Sequence, residues 1–476
     1  MRMKSVQMSL VETYNDVTSA MENNKPKFLA MLEEHINFNE YIPVTFYWAF
    51  YRRFGRPREY DLESFLRFCV LQKVLGIKED SAFLNILRMS KELREYCGFD
   101  KVPDASKITL FKQDFVTHIQ MVFDNLVEVT EPICREIDAK KADYLIYDPT
   151  GIDVKVAENN PKFLNGKLLQ AKKLSKNNSD IKPHALAYGM MPNFAAANPF
   201  VEQQYINGHI CYAFKAGILT NGLGIVRDIS FFDDEFKRMH PEVVSKKTDN
   251  PELDKVIGDS ISLEPVLSDF FEKHPSFSYK TFLGDGSFDK YDHYEILRDK
   301  FGFDRVAIPL NPRNTASNLN AEYDDNGTPV CPIDKTPFIY LGKSGGKNRS
   351  QRFKWVCHKS KSAAGGTRVL TCETPCTDST YGRCVYTNPA KDFRLYPGIA
   401  RGTEHWDNLY RHRVLAERTI YLLKEPLGGA TGKSFSMRTS KADLLLAGIT
   451  QLIGVVLAQA INKPHLFKSV RKLLVA

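Results

Sequence analysis

Tyr144-Leu145-Ile146-Tyr147-Asp148-Pro149-Thr150-Gly151 is the stretch on which the fold turns. Four apolar or aromatic residues run into an aspartate, a proline and, two positions on, a glycine. The pattern predicts a short buried strand that delivers a carboxylate to its C-terminal end. A second stretch repeats it: residues 279–283 predict a strand, and Gly284-Asp285-Gly286 follows. Nearby glycine lets a ligand or metal approach the backbone closely. Ligands of α/β sheets bind outside the carboxyl ends of the strands, where both aspartates fall. Taken singly, each aspartate reads equally well as a helix cap or turn residue.

Outward from these two strands, the pattern predicts a mixed-sheet α/β core. A long polar loop carrying Lys162, Lys167, Lys172, Lys173, Lys176 and Lys182 follows the first strand. Residues 208–219 and 223–232 predict two strands, with Asn221-Gly222 between them as a hairpin signal. A helix is predicted at 263–273, and a helix at 290–300 and a strand at 305–310 follow the second aspartate. Strand, strand, strand, helix, strand, helix, strand is the order of a mixed sheet with helices.

The flanks read differently. Residues 1–140 predict helices. Asp61 caps one with the stripe Leu62, Phe65, Leu66, Cys69 and Val70, stopped by Gly76. Ser81 and Ser90 start two shorter ones. Ser106 starts a long one with Leu110, Phe111, Phe115, Ile119, Val122, Phe123 and Leu126 on one stripe, until Pro132 disturbs it. Short helices and tight turns suit a helix-turn-helix-like DNA reader, with Arg52, Arg53, Arg56 and Arg58 close by. A plain helical bundle with a solvated basic edge fits the same periodicity. Residues 314–400, rich in Gly, Pro, Asn, Cys and Lys, read as an insertion with strand-like pieces at 336–341 and 352–357. Helix resumes near Asp407. Residues 444–461 form an uncharged run of 18, the lower limit for a membrane span. Thr450, Gln451 and Gln459 interrupt it, so a buried core helix is expected, and no membrane partner.

Composition sets the outer bounds. A chain of 476 residues predicts two or three domains. Hydrophobic content of 43% with 12% aromatics excludes wholesale disorder. A net charge of +8 and a pI near 8.8 lean toward polyanionic partners. The N-terminus lacks an apolar signal core, and nine cysteines do not suggest a secreted disulfide framework, so a cytoplasmic location is expected.

A third carboxylate joins the two aspartates. Tyr410, Arg413, Glu417 and Lys424 fall in one predicted helix. At 3.6 residues per turn they project within about 60° of one another. The stripe presents a carboxylate between two cations and an aromatic, bordered by Val414, Ile420 and Tyr421. A solvated face of i, i+4 pairs would carry similar residues.

The spacing Tyr-x2-Arg-x3-Glu-x6-Lys resembles the signature around the catalytic glutamate in a large group of bacterial insertion-sequence transposases of the Asp-Asp-Glu (DDE) type. Asp148 after Tyr147 and Asp285 between two glycines look like that family's strand-end acids, and Asp104-Ala105-Ser106 in its helical setting is similar to the family's N-terminal domain. The resemblance spans nearly the whole chain. It implies an α/β fold with a ribonuclease-H-like mixed-sheet catalytic core, formed by residues 141–313 and 401–476. An insertion domain at 314–400 would interrupt that core, and a helical DNA-binding domain at 1–140 would precede it. It also implies metal-dependent cleavage at terminal inverted repeats and strand transfer into target DNA. Asp148, Asp285 and Glu417 would be the catalytic triad and metal ligands, holding two Mg²⁺ or Mn²⁺ ions per active site with Asp148 bridging them. Tyr410, Arg413 and Lys424 would contact DNA and its phosphates. The partners implied are double-stranded DNA and a second copy of the chain on paired ends, in the bacterial cytoplasm at the nucleoid. A catalytically silent DNA-binding descendant and a stand-alone nuclease of the same fold are the alternatives.

Other signals are weaker. Gly428 to Ser434 is one residue short of a phosphate-binding loop, since Leu427 stands where glycine is needed, and it follows a helix. Cys331, Cys357, His358, Cys372, Cys376 and Cys384 lie within 54 residues, which suggests a structural zinc held by Cys331, Cys357, Cys372 and Cys376. Buried unpaired thiols would explain the same residues. The lysines at 162–182 and the run Lys343, Lys347, Arg349, Arg352 and Lys354 are candidates for tracking a DNA backbone. Trp355 reads as core. No His-Glu-x-x-His motif occurs.

Overall fold

The computed structural model describes residues 9, 11, 26–53, 55–177, 182–206, 209–243, 258–311, 322–346, 350–430, 434–468 and 472. It divides into two compact units, residues 1–133 with 422–476, and residues 134–421. The last apolar helix, expected in the catalytic core, groups instead with the N-terminal helices.

The first unit is helical, with helices Lys27–His35, Val44–Phe50, Leu62–Val74, Asp80–Met89, Lys91–Tyr96 and Ala105–Asp114, and then the start of Val116–Ala142. Asp61 stands at the N-cap of Leu62–Val74, but its carboxylate does not cap it. The Tyr51 hydroxyl takes the Leu62 N–H at 3.0 Å and donates to Asp61 at 3.1 Å. Ser90 caps the helix after it as expected, accepting from the Leu93 N–H. The single long helix expected from Ser106 is two, broken at Phe115, and the first begins after Asp104, whose side chain makes no capping bond. Pro132 does not end the second. Phe123, Leu126 and Val127 on one side and Cys134 on the other are fully buried, so packing carries the helix across the missing N–H. Helix Met437–Ala460 is apolar enough to cross a membrane, yet most of it is buried in the protein. It packs on helices Leu62–Val74 and Ala105–Asp114.

The second unit is built on a mixed sheet. Its strands are β1 (Tyr144–Asp153), β2 (Phe194–Ala195), β3 (Asn198–Ile206), β4 (His209–Asn221), β5 (Val226–Phe231), β6 (Thr281–Leu283) and β7 (Arg305–Ala307). β1 runs antiparallel to β4 and parallel to β6, and β6 runs parallel to β7. The far edge of β4 is shared by β3 and β5, both antiparallel to it. β1 is longer than expected, because Asp148 and Pro149 continue into an extension paired with β4 as far as Asp153.

The hairpin at Asn221 is wider than two residues. Asn221 Oδ1 accepts from the Leu223 and Ile225 N–H groups, and Gly224 takes φ +83°. Residues 161–174, expected as part of a polar loop, form helix Pro161–Leu174. Asn160 caps it, and Pro161 occupies its first turn. A short helix, Pro183–Gly189, follows.

Alternation along β1 puts its side chains on two faces. Leu145 and Tyr147 join Leu219, Phe282 and Val306 against helix Leu263–Lys273, through Val266, Leu267 and Phe270. Tyr144 and Ile146 join Leu283 and Ala307 against Trp406, Leu409 and Ala416, which belong to helices Glu404–Tyr410 and Val414–Lys424. The sheet is thus sandwiched between helices. Residues 322–400 carry β8 (Ile339–Ser344), β9 (Arg352–Val356) and, after β10 (Ser360–Ser362) and β11 (Arg368–Leu370), β12 (Cys384–Thr387). The order β12-β9-β8 makes a small antiparallel sheet around Trp355, which is 1% exposed and donates to Thr387.

Candidate active site

Strand register alone brings the two aspartates together. Ile146 pairs with Leu283 across the parallel β1/β6 ladder. Asp148 and Asp285 each stand two residues further on. Period-2 alternation therefore returns both to the face of Ile146 and Leu283, which the Trp406 and Ala416 helices cover. Asp285 is held by the turn after β6, as N-cap of Gly286–Phe288, with its carboxylate accepting from the Ser287 N–H.

The helix side supplies the rest. Thr403 caps Glu404–Tyr410. A tighter 3-10 turn, Arg411–Arg413, separates that helix from Val414–Lys424, so the four residues expected on one helix span a junction. Tyr410 ends the first helix, Arg413 ends the turn and Glu417 lies in the first turn of the second. Lys424 closes the second helix about 10 Å further along its axis.

Arg413 is the centre of the cluster. Its Nη2 lies 3.6 Å from Asp148 and 3.7 Å from Asp285, and its Nη1 is paired with Glu417. The Arg413 Nε is buried without a hydrogen-bond partner. One guanidinium thus answers three carboxylates that are far apart in the chain. Asp148 is the most enclosed of the three, its side chain 18% exposed against 44% for Asp285 and 52% for Glu417. Burial pushes its carboxyl up to about 7; Arg413 opposes this, and Asp285, Glu417 and Asp259 add to it. Burial likewise raises the Tyr410 hydroxyl above its ordinary range, against the pull of Arg413.

A second set of residues, invisible in the linear pattern, braces the Asp285 turn. Asp289 is fully buried and accepts from Arg394 at 2.9 and 2.6 Å, from Tyr294 at 3.1 Å and from the Asn311 N–H at 2.6 Å. Arg401 ties the Ile308 carbonyl, at 2.7 Å, to the Tyr294 hydroxyl, at 2.8 Å. Arg394 and Arg401 come from the return of the insertion, and no local motif marks them.

Among the described residues no group of three or more His, Cys, Asp or Glu side chains is disposed to hold a metal ion, at the acids or among the cysteines. At the acids the reason is visible, since the guanidinium stands between them. All nine cysteines are free thiols. Cys331 and Cys357 are buried, and Cys331 packs with Phe338, Phe353 and Trp355, with Cys376 against the same cluster. Lys347, Arg349 and residues 431–433 of the glycine-rich loop lie outside the described residues.

Residues 17–114 match the family model described as "Transposase domain (DUF772)". The match covers the N-terminal helices, not the sheet or the acidic cluster, and it supports a transposase. No curated protein matches the chain. Among solved structures, the chain is similar to the piggyBac transposase in a synaptic complex with hairpin DNA. Identity is 10% over 96% of this chain and 86% of that one, and the TM-score is 0.28. A TM-score of that size carries no argument about fold or chemistry.

Proposed function

We propose that the chain is a DNA transposase of the Asp-Asp-Glu type that cuts element ends and joins them to target DNA. The observation that carries this reading is the convergence of Asp148, Asp285 and Glu417 on one cation, Arg413, with both aspartates just beyond the parallel β1/β6 ladder. The transposase-domain match in the N-terminal helices supports it independently. The antiparallel strands β5-β4-β1, continued by the parallel strands β6 and β7, support a ribonuclease-H-like core.

The donor set suits hard divalent cations. Three carboxylates around one guanidinium is the charge arrangement that such ions need, with Arg413 as the stand-in. Two Mg²⁺ or Mn²⁺ ions held by Asp148, Asp285 and Glu417 would neutralise the attacking and leaving oxygens of an in-line displacement. The protein's own part is positioning. Arg413, parted from the acids, presents two donors to a phosphate beside the scissile bond. Tyr410 packs beside it against a sugar or base, and Lys424 meets the backbone further along. Attack by water breaks one phosphodiester bond and leaves a 3′-hydroxyl. That hydroxyl then forms a new P–O bond in the target as one is broken, so no external energy source is required. Two copies of the chain would hold the two ends.

The test is cleavage of DNA carrying this gene's own flanking ends, with Mg²⁺ or Mn²⁺, by the wild type, Asp148→Ala and Glu417→Gln. End-specific nicking and joining to a second DNA, lost in both variants, is the expected result. Specific binding with no cleavage by any of the three proteins would instead mark a silent descendant. Nicking without end preference or joining would mark a nuclease.

A further inference from the structure

We propose that a basic groove in the N-terminal unit, formed by Arg52, Arg53, Arg56, Arg58 and Lys107, grips the phosphate backbone of duplex DNA. The groove has a volume of about 720 Å³ and is lined by these five cations together with the acids Glu59 and Asp114. Five positive charges against two negative ones favour an anion. Arginine is the side chain best suited to phosphate oxygens, because its planar fork binds them in pairs.

The groove is built on a rigid base. Its floor is Phe50, Phe65, Phe111 and Phe115, all buried, with Phe65 and Phe111 stacked at 4.8 Å. Arg58 is locked onto that floor. Its guanidinium lies over the Phe50 ring at 4.8 Å and the Phe115 ring at 5.6 Å, and its Nε donates to the Phe50 carbonyl at 3.0 Å. The Tyr51 hydroxyl is engaged with Leu62 and Asp61, which fixes the wall. Arg52, Arg53 and Arg56 stand exposed above.

That division of labour selects the ligand. Single strands are held by exposed aromatic faces on which bases stack. Here the four floor rings are buried under the arginines, and Tyr51, the exposed ring of the lining, has its hydroxyl held by Leu62 and Asp61, so charge outweighs stacking. A continuous double-stranded backbone is the polyanion that suits it. The proposal rests on the reading of the chain as a transposase, whose matched domain contains all five cations.

The test is binding of the full chain to a fluorescent 30-base-pair duplex over a range of KCl concentrations. Wild type and Arg52→Gln/Arg56→Gln are compared, with thermal unfolding as the folding control. Each phosphate that the protein no longer neutralises lowers the slope of log K against log salt by about 0.9. The double variant is expected to lower the slope by about one to two and to bind at least about tenfold more weakly near 0.1 M salt, with its Tm unchanged. An unchanged slope and affinity in the double variant overturns the groove and leaves the catalytic reading standing. Weakened binding by the double variant with no cleavage by wild type keeps the groove and overturns the catalytic reading. Equal or tighter binding of a single strand, or arginine-dependent binding to phosphatidylserine vesicles with none to the duplex, also overturns the proposal.

Discussion

The Nη2 nitrogen of Arg413 lies 3.6 Å from the Oδ1 oxygen of Asp148. It is the charge that makes three converging carboxylates tolerable in a folded, metal-free protein. Removing it leaves the acids to repel one another, two of them partly screened by water. Arg413→Ala should lose about 1–2 kcal/mol of stability in EDTA, the modest figure reflecting that screening. Millimolar Mg²⁺ should restore most of the loss, because a divalent ion answers the same three groups. Denaturant melts with and without the metal check both points, and equal stability of variant and wild type in EDTA would sink the idea.

Asp148 titrates in the wrong range for an aspartate, and that has a sign. Its carboxyl sits near 7 in the folded protein against an ordinary 3.8. The unfolded chain therefore gives up this proton first. The favourable contribution of the protonated group is full below about pH 4 and is lost as pH rises toward 7. Asp148→Asn has no such proton to lose. Metal-free wild type and variant should differ least near pH 4. The variant should gain steadily on the wild type up to about pH 7 and hold a constant lead above it. Parallel Tm-against-pH curves would contradict the assignment.

Much of this site is legible along the chain, for a physical reason. Two apolar runs that lead into aspartates with a glycine nearby, and a helix with acid and base on one stripe, are local patterns. What is not local is who meets whom. Arg413 reads as a phosphate contact in the sequence, and only the β1/β6 register shows that it stands between the acids. Asp289 and Arg394 are 105 residues apart and share no motif. β3 is not legible because Asn198-Pro199 opens it and Glu202, Gln203 and Gln204 fill its middle, which hides the alternation of an apolar strand. Helix Pro161–Leu174 is masked by its lysines, although Asn160 before Pro161 is a sound start signal.

Gly222 secures the start of β1 and so the approach to Asp148. Its N–H donates to the Lys141 carbonyl at 3.0 Å. A Cβ there would stand 2.5 Å from the same carbonyl oxygen and 2.7 Å from the Tyr144 ring. The first neighbour is backbone and cannot swing away. Gly222→Ala is expected to cost about 1–3 kcal/mol, the range for overpacking a filled site. Urea titration measures it. Gly166→Ala, with open space at its Cβ in the middle of a helix, should be neutral or slightly stabilising and serves as the control.

In the N-terminal unit, Asp443 answers two buried lysines at once, Lys112 at 2.9 Å and Lys73 at 3.6 Å. Lys112 has a second partner in Asp80, at 2.9 Å. Burial lowers the Lys73 ammonium below the ordinary lysine range even with Asp443 beside it, and the neighbouring Lys112 charge lowers it further. Asp443→Asn leaves two buried cations to share one carboxylate, and about 3–5 kcal/mol should be lost at pH 7. Replacing both partners, in Lys73→Met/Asp443→Asn, should recover part of that, because the worst uncompensated charge is then gone. The pH dependence separates this account from simple loss of packing. A lysine whose folded pKa is depressed binds fewer protons folded than unfolded, so stability rises as pH climbs through that depressed value. Without Asp443 the depression deepens. The deficit of Asp443→Asn should therefore shrink between pH 7 and pH 10, whereas a deficit caused by packing alone would stay constant across that range.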